Sequence, residues 1–369
     1  MRIGIIAHLK HAIGEPFAGG LEMHTHMLAT SLAARGHDVT LFASTRSDPD
    51  LKNEAICDET ALLGTGTAEA VDVTFFREHH AYLTLMSALR HRSFDIIHNN
   101  SLHYLPVTMA DTISAPMVTT LHTPPFCWLE SGIRLCRAET MRFVAVSEAI
   151  RGLWSPIVPI DRVVENGVDL ARFPFRLVPD AQPYLVWYGR IVPEKGLDHA
   201  IEAARLLDME LRIAGPISDR DWYEAEIAPK LGPKARYLGH LDHGALGRLI
   251  GGARAFLCTP RWEEPYGLVV AEALACGTPV AAYARGAIPA ILDATSGVLA
   301  TPDDPRALAE AARAALGLSR LACRARAERK CDAGAMIDGY ERLYEEIMSA
   351  RMLPASHSDA ANDLEVAAA

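Results

Sequence analysis

Residues 255–283 read AFLCTPRWEEPYGLVVAEALACGTPVAAY. The apolar run Ala255–Cys258 has the length of a buried strand. Good helix formers fill Leu268–Ala275, and Gly277 stops them. A second apolar run, Pro279–Tyr283, follows at once. Strand, loop, helix, strand in so short a stretch is a βαβ unit, and such units build parallel sheets.

The unit recurs on both sides. Around it, strands are expected at Tyr184–Tyr188, Leu211–Ala214, Arg236–Leu238 and Gly297–Ala300. Helices are expected at Leu197–Leu207, Asp221–Leu231, Gly244–Gly251 and Pro305–Leu316. The first half carries its own series, with strands at Ile3–Ala7, Asp38–Ala43, Val71–Phe76, Asp95–His98, Met117–Leu121 and Phe143–Val146. Its first helix, Leu21–Ala34, ends at Arg35-Gly36-His37. The expected architecture is α/β, with two tandem Rossmann-like, doubly wound parallel-sheet domains facing an interdomain cleft. Their bounds are 1–168 and 183–333, and the stretch Asn166–Gln182, with Pro174 and Pro179, links them. The Ala/Arg/Glu-rich region after Pro305 reads as helical, and its part at about 335–350 is expected to cross back onto the first lobe. The small, polar tail 354–369 is expected to be disordered.

Half of the 369 residues are hydrophobic and 22% are charged, enough apolar material for two cores. The net charge of −10 argues against a nucleic-acid partner and gives no attraction to an anionic membrane. No apolar run approaches the roughly 20 residues of a membrane span. Seven cysteines without a Cys-x-x-Cys pair imply reduced thiols, no structural zinc and a cytoplasmic setting. Trp128 and Trp154, with Arg134, Arg137 and Arg142, fit core or acceptor-pocket packing; peripheral contact at the inner membrane face, or with a lipid-linked acceptor, is the alternative.

Open α/β sheets bind ligands beyond the carboxyl ends of their strands, and there the chemistry-bearing residues cluster. Gly267 stands where a helix begins, so free backbone N–H groups and a positive dipole end suit a diphosphate there. Glu264 precedes that helix and Glu272 sits in its second turn. Carboxylates would repel a diphosphate and are suited to hydroxyls of ribose and sugar; singly, each reads equally as a solvated helix-end glutamate. Tyr188-Gly189-Arg190 ends a strand, and Lys195-Gly196 follows closely. A guanidinium fork and a mobile ammonium are the pair wanted around a leaving diphosphate, although ion pairs with Glu194 would also explain them.

Together these motifs resemble the retaining nucleotide-sugar glycosyltransferases of family 4, which have two Rossmann-like lobes (the GT-B fold). The match covers nearly the whole chain: the glutamates Glu264 and Glu272, the Gly189-Arg190 and Lys195-Gly196 element, the hinge Asn166–Asp169, the loop Gly19-Gly20-Leu21-Glu22 and the pair Val146-Ser147. The loop Arg261-Trp262-Glu263 departs from the family's small polar residues. The resemblance implies that Glu272 holds the ribose and Glu264 the sugar ring. Arg190 and Lys195 then bind the diphosphate with backbone near Tyr266, Gly267 and Leu268, and Gly19 and Gly20 close on the phosphates. His122 matches the family histidine near sugar and acceptor, and alone reads as a hydrogen-bonded strand-end residue. Ala214-Gly215-Pro216 and Gly239-His240-Leu241 border the base or are plain turns.

The expected reaction is metal-independent transfer of a hexosyl group, with retention, from a UDP- or GDP-linked sugar to a sugar, lipid-linked or small-molecule acceptor. Acceptor choice falls to the loops Thr45–Ala70 and Thr123–Arg142. Competing readings are a non-catalytic nucleotide-sugar binding protein and an epimerase or phosphorylase of the same architecture. Gly-x-Gly-x-x-Gly is missing after the first strand, which weakens a dehydrogenase reading. His24 and His26, two apart in a helix, cannot chelate together.

Overall fold

The structure is a computed structural model, and it describes residues 1–57 and 73–352. Strands buried on both faces need near-continuous apolar runs, and this chain supplies two sets of them. The first set is β1 (Arg2–Ile6), β2 (Asp38–Ser44), β3 (Asn53–Cys57), β4 (Ile96–Asn99), β5 (Met117–Leu121), β6 (Met141–Ala145) and β7 (Arg162–Val163). The second is β8 (Tyr184–Tyr188), β9 (Glu210–Ala214), β10 (Ala235–Tyr237), β11 (Ala255–Cys258), β12 (Val280–Tyr283) and β13 (Gly297–Ala300). Among the described residues the sheet orders are β3-β2-β1-β4-β5-β6-β7 and β10-β9-β8-β11-β12-β13. Every pairing between these strands is parallel.

In both sheets the order reverses beside the first strand, between β1 and β4 and between β8 and β11. Neighbouring crossovers there leave toward opposite faces, so a crevice opens at the carboxyl ends. Strand pleating divides β8 between two cores: Tyr184, Val186 and Tyr188 face one, Leu185 and Trp187 the other.

Two expectations are corrected. The strand expected at Val71–Phe76 is the start of the helix Val73–Leu89, residues 71–72 lying outside those described. Its opening Val-Thr-Phe-Phe has high β-propensity, but Ala81, Tyr82, Leu85, Met86 and Leu89 are buried at helical spacing, and burial decides. The third strand lies earlier, at Asn53–Cys57. The helix expected at Asp221–Leu231 is broken into short turns, Arg220–Trp222, Tyr223–Ile227 and Ala228–Lys230, the last holding Pro229, which has no amide to donate.

The helix Ala333–Met352 packs on the first sheet. Met336, Ile337, Tyr340, Leu343, Tyr344 and Ile347 form its buried stripe, together with Ile3, Ile5 and Leu28. The chain therefore crosses between lobes twice, side by side: Val168 N donates to Cys331 O at 2.8 Å and Ala333 N to Val168 O at 3.1 Å. The tail from residue 354 lies outside the described residues.

Candidate active site

The loops that follow β8 and β11 are stitched together by hydrogen bonds between their own residues. Thr259 Oγ1 accepts from Trp187 Nε1 at 3.0 Å and donates to Lys195 O at 2.7 Å. Arg261 N donates to Glu194 O at 2.8 Å, and the Arg261 guanidinium holds Asp198 at 2.5 Å. Lys195 and Glu264, far apart in sequence, thereby meet: Nζ donates to Oε2 at 2.7 Å. Trp262 Nε1 donates to the same oxygen at 2.9 Å, and Lys195 Nζ sits 5.0 Å from the Trp262 ring centroid. Arg190 is held only loosely, 3.8 Å from Glu194.

The helix Leu268–Ala275 begins at Gly267, whose φ of 97° is a left-handed conformation that favours glycine. The earliest bond that Gly267 O accepts comes from Val270 N, at 2.9 Å, so the amides before it have no partner within the helix. The first lobe presses on this helix start. A Cβ on Gly20 would lie 2.7 Å from Leu268 Cδ1, so a larger residue there would have to displace the end of the Leu268 side chain. Ser147 Oγ accepts from Ile150 N, capping the helix Glu148–Trp154, and donates across the cleft to Pro265 O at 2.6 Å.

Between the lobes lies a cavity of about 420 Å³. The structure brings every expected site residue to its wall: Arg190, Lys195, Glu264 and His122, and Gly19, Gly20, Gly189, Gly215, Tyr266, Gly267, Leu268 and Glu272. Tyr266 is 2% exposed and its side chain belongs to the second-lobe core, so it offers the cavity chiefly backbone. Trp262, His8, Asn166 and His243 also line the cavity and are absent from the expected set. For Trp262 the sequence held a signal, its place two residues before Glu264. Asn166 opens the hinge already noted in the sequence, whereas His8, after β1, and His243, at the start of the helix His243–Gly252, reach the cavity only through packing.

Glu272 is buried, and desolvation pushes its carboxyl up to about 8, opposed only partly by the Tyr188 hydroxyl. Near neutral pH it is a protonated acid, able to donate as well as accept hydrogen bonds. Between its ordinary 4.5 and about 8, the folded chain keeps a proton that the unfolded chain has lost. Stability should therefore fall as pH rises through that window. Glu272→Gln removes the titration. Its melting temperature should match the parent's at pH 5 and exceed it by a few degrees at pH 8.5. Equal differences at the two pH values would rule the protonated state out.

On the first-lobe wall, burial alone would raise the Glu22 carboxyl, but the His8 hydrogen bond and the charges of His8 and His11 hold it below its ordinary value. His122 Nε2 pairs with Asn100 Oδ1 at 2.8 Å, and burial keeps the imidazole neutral by holding its pKa far below the usual value. Behind it, His98 Nε2 meets Asn100 Oδ1 at 3.1 Å and Thr120 Oγ1 at 2.8 Å, and its Nδ1 meets the Tyr344 hydroxyl of the returning helix. His24 points into this buried group, while His26 pairs with Asp48 at 2.8 Å. Trp154 is fully buried, its Nε1 donating to Thr123 O, and Trp128 is exposed. Of the loop Thr45–Ala70, residues 58–70 lie outside those described.

Comparison with known proteins matches residues 18–172 to the family model described as Glycosyltransferase Family 4 and residues 171–330 to that of Glycosyl transferases group 1. The glycogen synthase of Mycobacterium tuberculosis is 30% identical over 342 residues, spanning 81% of this chain and 82% of that protein. Sucrose-phosphate synthase from Thermosynechococcus elongatus superposes with a TM-score of 0.74 at 19% identity, covering 95% of this chain and 99% of the other. HepE of Anabaena, solved in complex with UDP-glucose, gives 0.73 at 17% identity, covering 94% and 100%. No helix among the described residues is long and apolar enough to cross a membrane.

Proposed function

This chain belongs to the family 4 glycosyltransferases, as a hexosyltransferase of GT-B fold, and on that premise we propose that its donor is a nucleoside-diphosphate sugar, UDP- or GDP-linked, used with retention and without a metal ion. One observation carries the reading. Two cations from the loop after β8, the open start of the helix at Gly267 and the side chains of Glu264 and Glu272 line one interlobe cavity.

Arg190 is only weakly engaged, and Lys195 spends one of its three N–H donors on Glu264. Both therefore keep donors for the diphosphate. As the bond from the sugar to the diphosphate breaks, negative charge grows on the leaving oxygen, and preorganised cations and amides stabilise that charge more than the ground state. Glu264 is held by Lys195 and Trp262, an engagement suited to a sugar hydroxyl rather than to nucleophilic attack. The acceptor then enters on the face the phosphate leaves, and the leaving phosphate oxygen takes its proton, which retains the configuration. Glu272, protonated and beside Tyr188, meets the ribose. Arg190 and Lys195 can supply the positive charge that other transferases take from a metal ion. Among the described residues no group of three His, Cys, Asp or Glu is placed to hold one.

A thermal-shift series with UDP, GDP, UDP-glucose and GDP-mannose tests the reading, because a ligand that binds only the folded state stabilises it by about 2.7 kcal/mol at a hundred times its Kd. One base is expected to raise the melting temperature, alone and as its sugar. Calorimetry should then show Glu272→Ala weakening the free diphosphate and Glu264→Ala sparing it while harming transfer. No shift with any of the four ligands, or turnover abolished by a chelator and restored by Mg²⁺, would overturn the corresponding part.

A further inference from the structure

The loop Arg261–Glu264 is fixed along its length. Arg261 is tied through its amide to Glu194 O and through its guanidinium to Asp198. Glu263 Oε2 accepts from Gly286 N at 2.8 Å, and Glu264 O accepts from Ala287 N at 2.9 Å. Trp262 and Glu264 both line the cavity, and the Trp262 indole N–H is engaged by Glu264 itself. The two polar features of Trp262 both act on the charged pair. The indole N–H holds Glu264 Oε2, and the ring face lies under the Lys195 ammonium. Oε2 therefore carries two donors, at 2.7 and 2.9 Å, whereas Oε1 has no hydrogen-bond partner among the described residues, and Glu264 lines the cavity.

We propose that Trp262 is a positioning residue that sets selectivity for the donor's sugar: it fixes the Glu264 carboxylate so that Oε1 is presented to a sugar hydroxyl, and confines the Lys195 ammonium to the phosphate side of that carboxylate. The proposal rests on the donor reading above and adds a residue to it. A lone Lys–Glu pair could rotate about its long side chains, and both carboxylate oxygens would then serve the ammonium equally well. The indole N–H removes that freedom, because its donor direction is fixed by a rigid ring. The ring also attracts the ammonium face-on, an interaction an aliphatic residue lacks. Selectivity follows because a correctly aimed polar group rejects a sugar whose hydroxyl it cannot meet, leaving the group unpaired.

The test uses the full chain with UDP, GDP, UDP-glucose and GDP-mannose. Trp262→Phe keeps an aromatic face and loses the N–H. It should bind the recognised free nucleoside diphosphate within about threefold of the parent, and lose about tenfold of the extra affinity and turnover that the sugar brings, the usual scale for a hydrogen bond to a charged group. In a Glu264→Gln background the same substitution should add little further loss, since both act through one carboxylate. The proposal is overturned if Trp262→Phe weakens diphosphate and donor equally, if it changes neither, or if its effect simply adds to that of Glu264→Gln. If the parent binds none of the four ligands, the donor reading itself has failed, and that is seen before any variant is compared.

Discussion

Lys195→Ala is expected to lower turnover by about a hundredfold or more, the scale seen when one preorganised donor to a developing negative charge is removed. Two losses coincide. The leaving phosphate loses a cation, and Glu264, 12% exposed, loses the ammonium that lies 2.7 Å away. The fold should survive, because the Lys195 ammonium belongs to the cavity wall and Thr259 holds the backbone of this residue rather than its side chain. Lys195→Arg should fall between the two. It keeps the charge, but a guanidinium aims its donors in a fixed planar fork instead of presenting a compact point charge, so the geometry toward Trp262, Glu264 and the phosphate changes. Steady-state kinetics beside melting curves would decide. Near-parental turnover in Lys195→Ala would remove Lys195 from the reaction.

Arg320→Ala is expected to destabilise the chain by about 3 kcal/mol or more without touching the site. Arg320 is buried, and its guanidinium has no carboxylate partner in its hydrogen-bond set. Instead it donates to Arg176 O at 2.6 Å, Ala253 O at 2.8 Å, Gly251 O at 2.6 Å and Thr278 Oγ1 at 3.2 Å, with Cys276 O at 3.4 Å. Two of these carbonyls close the helix His243–Gly252 and one follows the helix Leu268–Ala275. The cation thus satisfies orphan carbonyls at the negative ends of two helix dipoles. Removing it strands buried acceptors of the second lobe in one step. Denaturant unfolding should show the loss, with diphosphate affinity per folded molecule unchanged. A loss below 1 kcal/mol would mean that water replaces the guanidinium.

Much of this was legible in the sequence. The run 255–283 contains its own strand, turn and helix signals, and the same is true of Tyr184–Tyr188 with the Arg190 and Lys195 that follow. Such signals are local: apolar period, helix formers and glycine stops act between near neighbours. The weak point was also local. Val-Thr-Phe-Phe favours a strand until the burial of Tyr82, Leu85 and Met86, set by distant partners, makes it a helix.

The tandem α/β plan and the residue types at the ends of β8 and β11 follow from the order of amino acids alone, because the period of apolar side chains must match the element they build. Which residues touch was decided by the tertiary fold. Strand order brings Lys195 against Glu264 and Trp262, the returning helix puts Tyr344 on His98, and packing around Glu272 strips away the water that would keep it ionised. Contact between distant segments and loss of solvent are properties of the assembled chain, since both depend on what surrounds a side chain rather than on what precedes it.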